Sequence, residues 1–203
     1  MIVKVCGITN LDDALGAVHA GASAIGFNFY RKSPRYIAPE SAAAIARELP
    51  GGVLRVGVFV NEAPETVLST AAQAGLDIAQ LHGDEGSAGL PAGVRIWKAF
   101  RVTDAFDASV LDAYAVEAFL LDGPAPAYGG GGAPFDWAAA AGLKRRIILA
   151  GGLGPDNVAE AIRAAAPWGV DACSRLESSP GRKDASLVRA FVAAARNAWK
   201  QVA

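Results

Sequence analysis

The chain opens with Met1-Ile-Val-Lys-Val-Cys-Gly-Ile-Thr-Asn10 and runs on through Leu-Asp-Asp-Ala-Leu-Gly-Ala-Val-His-Ala20 to Gly21. The first half is a short apolar, β-branched run. The second has helical periodicity, with Asn10 as N-cap, Asp12 and Asp13 at the positive end of the dipole, and Gly21 as a C-terminal stop. Strand followed by helix is therefore the unit of construction. Alternation along the strand puts Ile2, Lys4 and Cys6 on one face and Val3 and Val5 on the other, so an ammonium and a thiol share a side. An isolated cysteine is commonly a small buried hydrophobe. Whether Cys6 does chemistry depends on what the rest of the chain brings to it.

The unit recurs. Apolar runs cover residues 2–6, 24–29, 54–60, 77–81, 95–100, 118–122, 146–150 and 170–173. Helical segments cover 10–20, 39–49, 64–74 and 155–165, and a last helix over 184–201 carries a packing stripe of Leu187, Val188, Phe191, Val192 and Trp199. Residues 84–90 and 107–114 leave room only for short helices, and Asp136 and Trp137 start a sixth, with Trp137 on its packing face. Eight strands alternating with helices predict an α/β fold of one domain over 1–203, a closed (β/α)8 TIM barrel in preference to an open doubly wound sheet. In that architecture the active-site groups come from the C-terminal strand ends and the loops after them.

The bulk properties narrow the function. The 203 residues are 52% hydrophobic, and 19 basic residues stand against 20 acidic ones, so nothing in the overall charge draws the chain to nucleic acid or an anionic membrane. Cys6 and Cys173 lack the spacing of a zinc or redox site. No signal sequence or membrane span is legible, which predicts a soluble, cytoplasmic protein. Monomer and homodimer both stay open.

Taken in order, the strand ends supply Cys6-Gly7, Asn28 with the loop to Tyr36, Asn61, Gln80-Leu-His-Gly83, Lys98 with Arg101, Asp122 with the loop to Pro134, Gly151-Gly-Leu-Gly154, and Ser174-Arg-Leu-Glu-Ser-Ser-Pro-Gly181. A thiol, a carboxylate and two Gly- or Ser-rich turns share one rim. From residue type alone, Asp122 reads as a loop cap and Arg35 as a solvated arginine beside Arg31 and Lys32. Lys4 faces the barrel interior and needs an anion there. Asp171, on the adjoining last strand, is the candidate, and the same alternation brings Cys173 toward the first strand.

The motifs Lys4-Val-Cys-Gly-Ile-Thr9, Ser33-Pro-Arg35, Gln80-Leu-His-Gly83, Leu121-Asp122, Tyr128-Gly-Gly130, Phe135-Asp-Trp137, Ala150-Gly-Gly-Leu153 and Glu177-Ser-Ser-Pro-Gly181 occur in this order. Together they resemble the phosphoribosylanthranilate isomerase family of tryptophan biosynthesis. The resemblance implies an Amadori rearrangement of N-(5-phosphoribosyl)anthranilate, an aminoaldose, to 1-(2-carboxyphenylamino)-1-deoxyribulose 5-phosphate, with no cofactor or metal. It implies Cys6 as general base and Asp122 as general acid. The thiol must then ionise below its usual pKa of about 8.5 and the carboxyl hold its proton above its usual value of about 3.9. Lys4, two residues before Cys6 on the same face, favours the thiolate. Arg35 is implied as the fork for the substrate carboxylate, and Gly151, Gly152, Ser174 and Arg175 as the phosphate site after strands seven and eight. His82 lines the site without being the base.

Two departures stand out. Where the family has Ser-Ser-Gly, this chain has Cys173-Ser174-Arg175, so a side chain replaces hydrogen in the phosphate turn. The glycines from 129 to 132 lack the family's Thr and Lys and suggest a lid or, equally well, a plain flexible connection. Two competing readings are a sugar-phosphate isomerase of the histidine-biosynthesis type, which pairs two aspartates where this chain has Cys6 and Asp122, and a non-catalytic barrel blocked by Arg175.

Overall fold

The computed structural model describes residues 1–124 and 135–202; the glycine loop expected as a lid and the motif Tyr128-Gly-Gly130 lie outside them. Eight parallel strands close into a barrel in chain order: β1 (Ile2–Val5), β2 (Ala24–Asn28), β3 (Leu54–Phe59), β4 (Ile78–Leu81), β5 (Arg95–Arg101), β6 (Ala118–Asp122), β7 (Ile147–Leu149) and β8 (Gly169–Ala172). The seam closes where β8 pairs with β1, with Lys4 opposite Asp171 and Val5 opposite Ala172. Helices α1 (Leu11–Ala20), α2 (Pro39–Glu48), α3 (Pro64–Ala74), α4 (Val158–Ala165) and α5 (Ala185–Val202) pack outside. The Asn10 side chain accepts from the Asp13 N–H at 2.9 Å, and Gly21 ends α1 in the left-handed region, as the sequence predicts.

Alternation divides the core in two. Ala24, Val56, Ile78, Trp97, Ala99, Ala118, Leu120, Ile148 and Ala150 fill the barrel. Val3, Val5, Ile25, Phe27, Phe59, Phe119 and Leu149 point out to helix residues such as Ala14, Ile45, Val67, Ile162 and Phe191. Each fully buried aliphatic or aromatic side chain contributes about 1.5–3 kcal/mol. The inward set, followed to the strand ends, is Cys6, Asn28, Val58, Gln80, His82, Asp122, Ala150, Asp171 and Cys173, all of which line one cavity. The pleat that builds the core thus also chooses the site residues.

The structure departs from or refines the sequence-based reading in several places. Residues 84–90 form no helix. Lys98 is not on the rim: its neighbours Trp97 and Ala99 face inward, so it points outward, where an apolar helix would strand its charge. Instead the β4–β5 connection folds over it, and Lys98 Nζ donates to Gly83 O at 2.8 Å, Ala99 O at 3.1 Å and Glu85 Oε2 at 2.9 Å. The segment 107–114 is a 3-10 helix (Ala108–Ala113). Trp137–Ala140 is likewise a single 3-10 turn, and Trp137 packs against the outer core from it. Finally, α4 starts at Val158 and not at 155, because Asn157 holds the preceding turn, accepting from Gly154 N at 2.8 Å and donating to Gly152 O at 2.9 Å. A hairpin of β9 (Glu177–Ser179) and β10 (Arg182–Lys183) follows β8, where sequence suggested only a turn.

Candidate active site

Strand β1 delivers Lys4 and Cys6 to the interior. Lys4 is fully buried and its Nζ donates to Asp171 Oδ1 at 3.0 Å, the partner expected from the strand order. Burial opposes its charge, but Asp171 and then Cys6 hold its pKa above the ordinary lysine value. Burial pushes the Asp171 carboxyl up to about 7, with Lys4 pulling it down and the Cys6 and Asp122 charges adding to the rise. The Cys6 thiol is held well below its usual pKa: the neighbouring Cys173 side chain is the leading cause, Lys4 adds to it, and burial works against both. The room for this cluster comes from Gly26 on β2. A Cβ there would lie 2.7 Å from Cys6 Sγ and 3.1 Å from Lys4 Cε.

Asp122 ends β6. Its Oδ2 is 3.0 Å from His82 Nε2, and His82 Nδ1 is 2.9 Å from Gln80 Nε2. With the Gln80 amide donating to Nδ1, His82 presents Nε2–H to the carboxylate. Gly151, at φ +80°, passes close behind: a Cβ there would meet Gly123 N and come within 2.7 Å of Asp122 Oδ1. Only glycine fits that conformation and that gap.

Arg35 is buried, not solvated. Its loop is pinned at Ser33, whose Oγ accepts from Asn28 Nδ2 at 3.2 Å and from Arg35 N at 3.1 Å. Its guanidinium donates to Glu177 through Nε at 2.9 Å and Nη2 at 2.7 Å. Glu177 also accepts from Lys183 Nζ at 2.9 Å, and Lys183 Nζ lies 3.8 Å from Cys173 Sγ. The carboxyl of Glu177 is penalised by burial, yet Arg35 and Lys183 hold it below the usual carboxylate range. A carboxylate flanked by two buried cations is a rigid mount for both of them.

At the turns after β7 and β8, Gly151, Gly152, Leu153 and Ser174 line the same cavity, whose volume including its open entrance is about 610 Å³. Arg175 does not point into it. It sits in a 3-10 turn (Ser174–Leu176) without positive φ, and its Nη1 and Nη2 donate to Gly152 O at 3.1 Å and Asp156 Oδ2 at 2.8 Å. The missing glycine therefore costs no backbone strain, and the side chain ties the two turns together from outside.

Cys6, Asp122, Arg35, His82, Gly151, Gly152 and Ser174 thus meet at one mouth with Asp171 beneath them; Lys4 supports Cys6 from below, and Arg175 stands behind the rim. Sequence reasoning missed Glu177 and Lys183 as a charged mount, Gly26 as a spacer and Asn157 as a turn staple. Asp171 had a legible signal, since the buried Lys4 on the adjoining strand demands an anion. The hairpin that brings Glu177 and Lys183 together is too short to leave a periodicity.

Residues 3–194 match the family model described as N-(5'phosphoribosyl)anthranilate (PRA) isomerase. A Solibacter usitatus protein named N-(5'-phosphoribosyl)anthranilate isomerase is 56% identical over 199 residues, covering 98% of each chain. The phosphoribosyl anthranilate isomerase of Thermotoga maritima superposes with a TM-score of 0.87 at 41% identity, over 97% of this chain and 100% of that one. A phosphoribosyl anthranilate isomerase in complex with reduced 1-(o-carboxyphenylamino)-1-deoxyribulose 5-phosphate superposes with a TM-score of 0.82 at 39% identity, over 97% and 100%.

Proposed function

The chain belongs to the N-(5'-phosphoribosyl)anthranilate isomerase family of tryptophan biosynthesis, aldose–ketose isomerases, and on that premise we propose that Cys6 and Asp122 carry the two proton transfers. Opening the ribose ring needs a proton on the ring oxygen, and forming the ketose needs one taken from C2. Asp122 supplies the first. The Cys6 thiolate takes the second. The observation that carries this reading is that the two groups line one cavity from β1 and β6, strands that are not neighbours, so a sugar lying between them is reached from both sides.

The remaining groups fit the two anionic ends of this substrate. Glu177 takes the Nε and Nη2 side of Arg35, so an arriving anthranilate carboxylate is met by Nη1 and by the second hydrogen of Nη2. The phosphate lies on the backbone N–H groups of Gly151, Gly152 and Ser174, where backbone can approach an anion closely. His82, held by Gln80, fixes the orientation of the Asp122 carboxyl group. Arg175 lies outside the cavity, which removes the reason to read the site as blocked.

The test follows the loss of anthranilate fluorescence from freshly prepared substrate. Cys6→Ala and Asp122→Asn each lower kcat by roughly 10²–10⁴-fold, the range for removing a general acid or base. Full turnover by either variant overturns the assignment of that residue.

A further inference from the structure

Behind the barrel wall, at the end of β4, lies a charged pair that the chemistry just described does not use. Lys98 is 2% exposed on the outer face of β5, opposite Leu81 of β4 in the parallel register. Its Nζ donates to Leu81 O at 3.4 Å and to Gly83 O at 2.8 Å, carbonyls of the two residues that flank His82, and to Glu85 Oε2 at 2.9 Å. Glu85 turns back on the same stretch, accepting from Gly83 N at 2.9 Å and from Asn61 N at 2.8 Å. Asn61, at φ +53°, closes the loop by accepting from Asp84 N at 2.7 Å. The His82 N–H itself donates to Phe59 O at 2.8 Å. The backbone on both sides of His82 is thus pinned from outside, while inside the barrel its imidazole stands between Gln80 at 2.9 Å and Asp122 at 3.0 Å.

We infer that Lys98 and Glu85 are positioning residues for His82: gripping its backbone from outside the barrel, they hold its imidazole against Asp122 inside. This rests on His82 orienting Asp122 for proton transfer. Packing alone does not call for charge here, because Ile96 and Phe100, on the same face of β5, are apolar and sit in the outer core. Replacing a buried ion pair by apolar residues is often neutral or favourable for stability, so the pair is weak evidence for a stabilising device. What it has and a hydrocarbon lacks is direction. One ammonium with three donors and one carboxylate with several acceptor sites tie down the backbone of residues 81, 83 and 61 at once. A shift of that backbone is a shift of the imidazole, and a misplaced catalytic contact is costly in rate.

The experiment combines kinetics with NMR on the full chain. Lys98→Met lowers kcat by roughly 10–100-fold, with KM within about twofold of the parent, because an oriented acid is used only in the transition state. The sequence has 2 histidines and His19 is exposed on α1, so the His82 ring nitrogens are read directly in two-bond 1H–15N spectra. In the parent the two nitrogens differ, as one hydrogen-bonded tautomer requires. In Lys98→Met they draw together as the ring loses its hold and exchanges tautomers. His82→Ala lowers kcat by a similar factor, and adding Lys98→Met to it lowers kcat no further, since both act on one contact. Val192→Ala, in the core of α5, lowers the urea midpoint but moves neither kcat nor the His82 nitrogens. If Lys98→Met does not fold, Lys98→Met with Glu85→Gln, which removes both charges together, takes its place. Unmoved His82 nitrogens in the Lys98 variant, or losses that multiply with those of His82→Ala, overturn the inference and leave His82 its role. The same changes in Val192→Ala show general loosening of the fold and overturn it too. Full kcat in His82→Ala overturns the role given to His82, and the inference with it.

Discussion

Lys4 Nζ lies 3.0 Å from Asp171 Oδ1 across the seam that closes the barrel, and the lysine is fully buried. Removing one partner of such a pair leaves the other charge uncompensated, at a cost of about 3–5 kcal/mol. Lys4→Met is therefore expected to destabilise the fold by that order, read from the urea midpoint. It also removes the cation beside Cys6, so the thiol titrates closer to its ordinary value of about 8.5. An unchanged alkylation profile in Lys4→Met sinks the idea that Lys4 tunes Cys6.

Asp171 tests the same cluster with the opposite sign. Burial raises its carboxyl from 3.8 to about 7, so between those values the native state binds more protons here than the unfolded chain. This group's contribution to stability therefore falls as pH rises through that window. Asp171→Asn abolishes that slope: its stability relative to the parent improves from pH 4 to pH 7, seen in urea unfolding at a series of pH values. Losing the Asp171 charge also leaves Cys6 as the anion facing Lys4, so Cys6 alkylation shifts to lower pH in this variant, where in Lys4→Met it shifts to higher pH.

Gly26 provides a geometric test. Its α-hydrogen faces Cys6 and Lys4, and an added methyl would stand 2.7 Å from Cys6 Sγ and 3.0 Å from Cys6 Cα. Overpacking of this kind costs about 1–3 kcal/mol, which a barrel of this size tolerates. A displaced reacting group costs on the order of 100-fold in rate. Gly26→Ala is expected to melt cooperatively and to lose kcat by about that factor. A fully active variant would show that Cys6 has freedom to move.

How far sequence reaches can be read from these same residues. The Lys4–Asp171 pair and the facing cysteines were legible because strand alternation and barrel closure are both simple periods, and a buried ammonium demands an anion. Gly26 was not, since a glycine inside a strand shows only the absence of a side chain and not what occupies the gap. Lys98 was misplaced on the rim because the pattern Arg-Ile-Trp-Lys-Ala-Phe gives parity but not direction, and its direction is set by Trp97 filling the barrel. Glu177 and Lys183 meet only because Gly181, at φ +80°, turns a hairpin shorter than any detectable period.

Arg175 closes the set, because it stands where the family pattern has glycine. Its Nη1 and Nη2 bridge Gly152 O and Asp156 Oδ2, joining the two turns whose amides are assigned to phosphate. Arg175→Gly cuts that tie and frees both turns to spread. The phosphate group is chemically unchanged from substrate to product, so whatever holds it holds the ground state and the transition state alike. Loss of such uniform binding raises KM and spares kcat. The expected result is a KM about 3–10-fold higher, with kcat within about twofold of the parent. A fall in kcat at constant KM would instead place Arg175 in the proton transfers, which its position behind the rim, pointing away from Cys6 and Asp122, argues against.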